Sequence, residues 1–281
     1  MDKQKLKNLL IGDFSLKRLI RSIIFVYVSL CIYGYFFTDW MIFKPPPSTY
    51  QDTKDILKLI AADGVQISAI YLPNSKATYT ILYSHGNAED LGDMLPILRE
   101  LRELGFSVFA YDYRGYGTSQ GTPSESNAYK DVDTAYDYLT RKLNIPTQNI
   151  IVYGRSVGGG PSVDLASRKS VGGLILESAF TKAFLVVTRI PIVPFDKFAN
   201  IDKIKMVRCP VLIIHGTSDS VIPFSHGEQL FATANQPKRF LWIEGADHNE
   251  DLISLGGDRY TKTLHEFAQL VRQSQVSPNR Q

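Results

Sequence analysis

The chain has 281 residues, 44% apolar and 21% charged, with a formal net charge of +3. That length admits one or two domains, and the composition excludes a disordered or collagen-like chain. Residues 1–21 hold six cations (Lys3, Lys5, Lys7, Lys17, Arg18, Arg21) and two anions (Asp2, Asp13), so they carry +4; the other 260 residues hold 25 cations and 26 anions, or −1. A body with no basic excess argues against a nucleic-acid partner. The two cysteines, Cys31 and Cys209, exclude a disulfide scaffold and have no metal-type spacing.

Residues 22–38 are 17 positions without a charge. As a helix they reach about 25 Å, and the apolar residues 40–43 with a snorkelling Arg21 extend the span toward the ~30 Å of a hydrocarbon core. Tyr33, Tyr35, Trp40 and Phe43 suit membrane interfaces. A cleaved signal peptide would need a small-x-small site that is missing here, and an interfacial helix is the other alternative. The expectation is an uncleaved transmembrane anchor over 22–43 behind a basic flank, 1–21. Six cations precede the span, against Lys44, Lys54 and Lys58 after it. The positive-inside rule then makes the flank cytoplasmic and puts the body on the opposite side. Pro45-Pro46-Pro47 forces an extended linker over 44–50, read as a stiff spacer.

Beyond Tyr50, strands are expected at 54–60, 66–72, 78–84, 106–112, 149–153, 172–177, 210–215 and 238–243. Helical patterns lie near 90–104, 124–142, 157–169, 225–234 and 258–273. The later strands are short and almost wholly apolar, as for strands buried on both faces. The alternation predicts one α/β domain over 51–275 with a mostly parallel eight-stranded sheet, followed by a tail, 276–281. The first two strands, joined by a short turn, are expected to be antiparallel. Residues 180–207 interrupt the rhythm with an apolar, proline-containing stretch, read as a short lid over a substrate pocket to which Phe180, Phe184 and Ile222 contribute.

The decisive motif is Gly154-Arg155-Ser156-Val157-Gly158, directly after one expected strand and before a helix. Glycines on either side of the serine permit a strained turn that lifts its Oγ above the sheet, and the next backbone N–H can face a developing oxyanion. A serine nucleophile needs a base. Among five histidines, His248 lies in the loop after the last strand, whereas His215, His226 and His265 end a strand, start a helix and lie within one. Asp219, four residues past the seventh strand, is the expected acid; Asp247 adjoins His248 and is poorly placed to accept its Nδ1 proton. The oxyanion donors are assigned to the backbone N–H groups of Asn87 and Val157. His85, Asp112 and Arg114 are read as braces of the loops around them.

These motifs, His85-Gly86-Asn87, Asp112-x-Arg114-Gly115-x-Gly117-x-Ser119, the serine pentapeptide, His215-Gly216-x-x-Asp219 and Asp247-His248, resemble the α/β-hydrolase superfamily over residues 50–275. The anchor, the triple-proline exit and Arg155 resemble more narrowly its membrane-anchored α/β-hydrolase-domain proteins, a group with depalmitoylase-like and peptidase-like members. The cysteine-rich N-terminus of the depalmitoylases has no counterpart in residues 1–21, which lack cysteine. The resemblance implies an α/β-hydrolase fold and a membrane-anchored serine hydrolase acting through Ser156, His248 and Asp219. Its expected partner is an acyl ester or thioester, a lipid or lipidated protein, and no metal or organic cofactor is implied. The alternatives are an aminopeptidase or acylaminoacyl peptidase, with Glu177 or Glu89 gripping the amine, and a catalytically silent anchored binding module.

Overall fold

The computed structural model describes residues 15–276; most of the expected basic flank and residues 277–281 of the tail lie outside the described residues. Eight strands form one sheet: β1 (Ile56–Ile60), β2 (Gln66–Leu72), β3 (Thr80–Ser84), β4 (Ser107–Tyr111), β5 (Ile150–Arg155), β6 (Gly173–Glu177), β7 (Val211–Gly216) and β8 (Lys238–Ile243). Their order is β1-β2-β4-β3-β5-β6-β7-β8, with β2 antiparallel to both β1 and β4 and every other pairing parallel. The β1–β2 turn closes through Gly64 N–H donating to the Ala61 carbonyl at 2.8 Å.

Wholly apolar strands follow from two buried faces. In β5, Ile150 and Val152 join one core cluster while Ile151 and Tyr153 join the other; in β7, Val211 and Ile213 divide from Leu212 and Ile214 in the same way. The first cluster is completed by helices α3 (Glu125–Asp137) and α4 (Gly159–Arg168), through residues such as Val132 and Val163. The second is completed by α2 (Leu91–Glu103) and α8 (Leu252–Val276), through Leu98, Leu101, Leu264 and Phe267. Alternate side chains thus serve opposite cores, and neither face tolerates a run of polar residues.

Two of these helices depart from a regular α-helix. α8 is broken at Gly257 (φ 47°, ψ −129°), so the long helix starts at 258 as expected, and a short preceding turn is capped by Asp251 Oδ1, which accepts the Ile253 and Ser254 N–H groups at 3.0 and 3.2 Å. The expected 124–142 helix ends as α3 at Asp137 and continues as one π-helical turn, Tyr138–Lys142. Between β6 and β7 the chain carries the short helices α5 (Ala183–Thr188) and α6 (Asn200–Lys203), and α7 (Ser225–Thr233) precedes β8.

At the N-terminus, α1 (Leu16–Ile42) is a single helix long and apolar enough to cross a membrane. It starts earlier than residue 22 because the Ser15 side chain accepts the Arg18 N–H. Its far end corrects two expectations. Phe43 is not an interfacial aromatic: it is 3% exposed and meets Tyr113, Tyr116 and Phe198 edge-on at centroid distances of 6.2, 6.4 and 6.0 Å. Nor is the stretch over 44–50 a stiff spacer standing apart from the body. Lys44 N–H donates to Asn87 Oδ1 at 2.9 Å and to the Tyr116 hydroxyl at 3.0 Å, Thr49 N–H donates to Asp90 at 2.7 Å, and the Tyr50 hydroxyl donates to Asp112. A buried aromatic and several fixed polar partners outweigh the stiffness that three prolines would give an isolated linker.

Candidate active site

Strand order reverses between β3 and β5, so the loops after these strands diverge and leave a crevice at the carboxyl ends of the sheet. Ser156 sits there, one residue past β5, with φ 53° in the left-handed region. That backbone is unusual for a residue with a side chain and turns Oγ away from the strand. The turn also needs its glycines: a Cβ at Gly154 would overlap the Gly158 carbonyl, and one at Gly158 would overlap the Ser84 carbonyl on β3.

His248 and Asp219 reach the serine from the loops after β8 and β7. Ser156 Oγ lies 3.0 Å from His248 Nε2, and His248 Nδ1 lies 2.8 Å from Asp219 Oδ2. Burial alone would raise the pKa of Asp219. The His215 and His248 imidazoles beside it and the Ile222 N–H more than offset that and hold it well below the usual carboxylate range. An ionised carboxylate only accepts, so Nδ1 carries the ring proton and Nε2 is free to accept from the serine. Asp219 Oδ1 also takes the Val221 and Ile222 N–H groups at 3.0 and 2.7 Å. His215, 3.4 Å from Asp219 Oδ2, donates from Nε2 to the Ile222 carbonyl at 2.9 Å and so braces the same turn. Asp247 points elsewhere, accepting the Ser220 and His248 backbone N–H groups at 2.7 Å each.

The loop after β3 brings Asn87 to the same crevice, and both Asn87 and Val157 line the cavity over Ser156. Asn87 Oδ1 is occupied by Lys44, Tyr116 and Ala88 donors, so its side chain fastens the loop to the chain leaving α1. His85 is buried, with Nδ1 donating to the Gly86 carbonyl at 2.7 Å. Asp112 accepts the Leu91 N–H at 3.0 Å, and Arg114 pairs with Asp131 and Asp63.

Arg155 plays a part that its sequence position did not disclose. It pairs with Glu89, whose other oxygen takes the Gly86 N–H at 2.9 Å, donates to the His248 carbonyl at 3.3 Å, and stands 3.4 Å from Glu177. One guanidinium at the end of β5 therefore joins the loops after β3 and β8 to the end of β6. Glu177 is buried and accepts the Tyr153 and Tyr260 hydroxyls at 2.5 and 2.8 Å. The only sequence signal for this network was a cation at the end of an otherwise apolar strand.

The cavity above Ser156 has a volume of about 640 Å³, within the ordinary range for small-molecule sites of about 300–1,000 Å³. Phe180, Phe184 and Ile222 all line it, as expected from sequence. Its remaining wall was not foreseen: it comes from the last turns of α1, including Gly34, Thr38 and Met41. Among the described residues, no group of three or more His, Cys, Asp or Glu side chains is placed to hold a metal ion.

Comparison with known proteins bears on the fold and the family. A family model described as serine aminopeptidase, S33, matches residues 75–201. Among solved structures, the Pyrococcus furiosus esterase Pf2001 superposes with a TM-score of 0.68 over 81% of this chain and 97% of its own, at 16% identity. A Bacillus anthracis bromoperoxidase superposes with a TM-score of 0.58 over 76% of this chain and 99% of its own, at 18% identity. Likeness at such identities establishes the α/β-hydrolase fold and not a reaction. Sequence relatives are nearer. The chain is 46% identical over 211 residues to alpha/beta hydrolase domain-containing protein 17B of Xenopus tropicalis, covering 73% of this chain and 71% of that one. It is 41% identical over 227 residues to the human protein of that name, covering 78% and 77%. At this identity and coverage the chain is a hydrolase of the α/β-hydrolase superfamily and belongs to the alpha/beta hydrolase domain-containing protein 17 family.

Proposed function

We propose that the protein is a membrane-anchored serine hydrolase that cleaves carboxylic ester or thioester bonds. The observation that carries this is the continuous relay from Ser156 Oγ through His248 to Asp219, at 3.0 and 2.8 Å, on the floor of an apolar-walled cavity. His248 Nε2 takes the serine proton as Oγ attacks the acyl carbon, and Asp219 holds the imidazole tautomer and balances the imidazolium. The Asn87 and Val157 N–H groups stabilise the tetrahedral oxyanion. The imidazolium then protonates the leaving alkoxide or thiolate, and water, deprotonated by the same histidine, releases the acid.

The description of the matched family model favours peptidase chemistry as a second reading. The cavity supports it less. An aminopeptidase needs a free carboxylate for the substrate amine, and Glu89 is engaged by Arg155 and the Gly86 N–H while Glu177 is buried beneath two tyrosine hydroxyls. Ser156→Ala is expected to abolish p-nitrophenyl ester turnover and labelling by a fluorophosphonate probe; labelling that persists in the variant overturns the nucleophile. The membrane part of the proposal reads α1 as a single-pass anchor with the charged end cytoplasmic. A glycosylation reporter at the C-terminus is expected to be modified, and one that stays unmodified and cytoplasmic refutes that sidedness.

A further inference from the structure

Resting on the acyl-hydrolase reading, we propose that the membrane anchor is also the specificity wall of the active site. Gly34, Thr38 and Met41 gauge a long acyl chain that enters the cavity along α1 from the bilayer.

The residues that α1 contributes to the cavity fall at 30, 33, 34, 38, 41 and 42, the spacing of one helical face. That face is held in place at its C-terminal end. Asp39 pairs with Lys197 at 3.1 Å and accepts the Glu125 N–H at 3.2 Å, Tyr35 meets Phe195 edge-on at 5.9 Å, and buried Phe43 closes the helix onto the core. A wall fixed by an ion pair and a buried ring cannot drift away from Ser156 as a tethered helix would.

Gly34 sets how near the helix comes to the opposite wall. A Cβ there would lie 3.7 Å from the rings of both Phe184 and Phe195, so a methyl fits and a larger side chain does not. The Thr38 hydroxyl donates back to the Gly34 carbonyl, which leaves no unpaired polar atom on it. This part of the wall therefore offers an acyl chain apolar contact and no competing hydrogen bond.

The depth of the cavity follows from the length of the span. Lys17, Arg18 and Arg21 mark the charged end of α1, and crossing a hydrocarbon core takes roughly 20 residues after them. Gly34 then lies about 20 Å along the helix from Arg21 and Thr38 further still, so this face of the cavity lies in the far third of the span and opens to acyl chains there. The same end of the molecule keeps large apolar side chains uncovered, with Val187 79% exposed on α5 and Trp40 68% exposed on α1. Such surface is stable against lipid and costly against water.

The test uses the full chain in lipid vesicles and compares p-nitrophenyl palmitate with p-nitrophenyl butyrate. In Gly34→Leu the ratio of kcat/KM for palmitate over butyrate is expected to fall about tenfold or more. Met41→Trp, which adds bulk at a position already 48% exposed, is expected to lower the same ratio without disturbing the core. Because each ratio is taken within one protein, it is independent of the folded fraction. A palmitoyl glycerolipid and an S-palmitoylated peptide, each presented in the vesicle, give the same fall on whichever carrier is turned over, and that carrier identifies the source of the chain. Ratios unchanged in both variants, with wild-type Ser156 labelled by fluorophosphonate, overturn the wall alone. No labelling of the wild type overturns the hydrolase reading and the wall with it.

Discussion

Asp219 is the residue whose charge the site is arranged to keep. Three donors converge on its two oxygens, two backbone N–H groups and the His248 imidazole, and the His215 ring stands 3.4 Å away. Its folded pKa lies below the unfolded value of about 3.9, so the stabilisation that its charge supplies is present above that value and is lost as pH falls through the lower folded pKa. Asp219→Asn keeps the shape, removes the charge and favours the wrong imidazole tautomer. A loss of about 10³–10⁴ in kcat is expected, by analogy with the corresponding triad substitution in a serine protease. Thermal melts should show the wild type more stable than the variant at neutral pH, with the gap narrowing below about pH 4. A gap independent of pH would mean that Asp219 carries no such charge. From sequence His215 is a strand-end histidine of the His215-Gly216-x-x-Asp219 motif with no role of its own; that role exists only because the fold of the turn after β7 brings Asp219 within 3.4 Å of it.

At the scale of elements, the five inner strands, β3 to β7, were legible because burial on both faces leaves a mostly apolar run, whereas β1, β2 and β8 keep partly exposed positions and show as shorter apolar stretches broken by polar residues such as Lys58 and Arg239. The serine, histidine and aspartate were legible for a related reason: each follows the end of a strand, where a parallel sheet gathers its loops. What holds those loops together was not, because the partners of Arg155 are 66 residues back, 22 ahead and 93 ahead in the sequence. Replacing Arg155 by Met leaves the Glu89 and Glu177 carboxylates without their cation in a mostly buried site. Breaking a buried pair in this way costs about 3–5 kcal/mol. The expected result in urea unfolding is a destabilisation of that size. Arg155→Met/Glu89→Gln should recover part of it, since one uncompensated charge is then gone. A loss that is fully additive in the double variant would show that Arg155 and Glu89 do not act as a pair.

On the scale of the whole molecule, the division into anchor, spacer and enzyme does not survive the packing around Phe43. From sequence, the charge change after residue 21 and the triple proline both suggest independent parts, and that inference omits partners that only the fold brings near. Phe43 enters the same aromatic cluster as Tyr113, Tyr116 and Phe198, and the next residue holds Asn87 in the candidate oxyanion loop. The seam therefore couples α1 to the loop beside Ser156. Phe43→Ala removes a fully packed ring, and truncations of this kind cost about 3–5 kcal/mol. The urea midpoint of the hydrolase domain, followed by its own tyrosine and tryptophan signals in detergent, is expected to fall by the equivalent amount at an unchanged slope. A free spacer predicts no change at all, because a side chain on a tether contributes nothing to the domain's stability. The two views thus differ by several kcal/mol at one position, and an unaltered midpoint would return the anchor to the role of a passive tether.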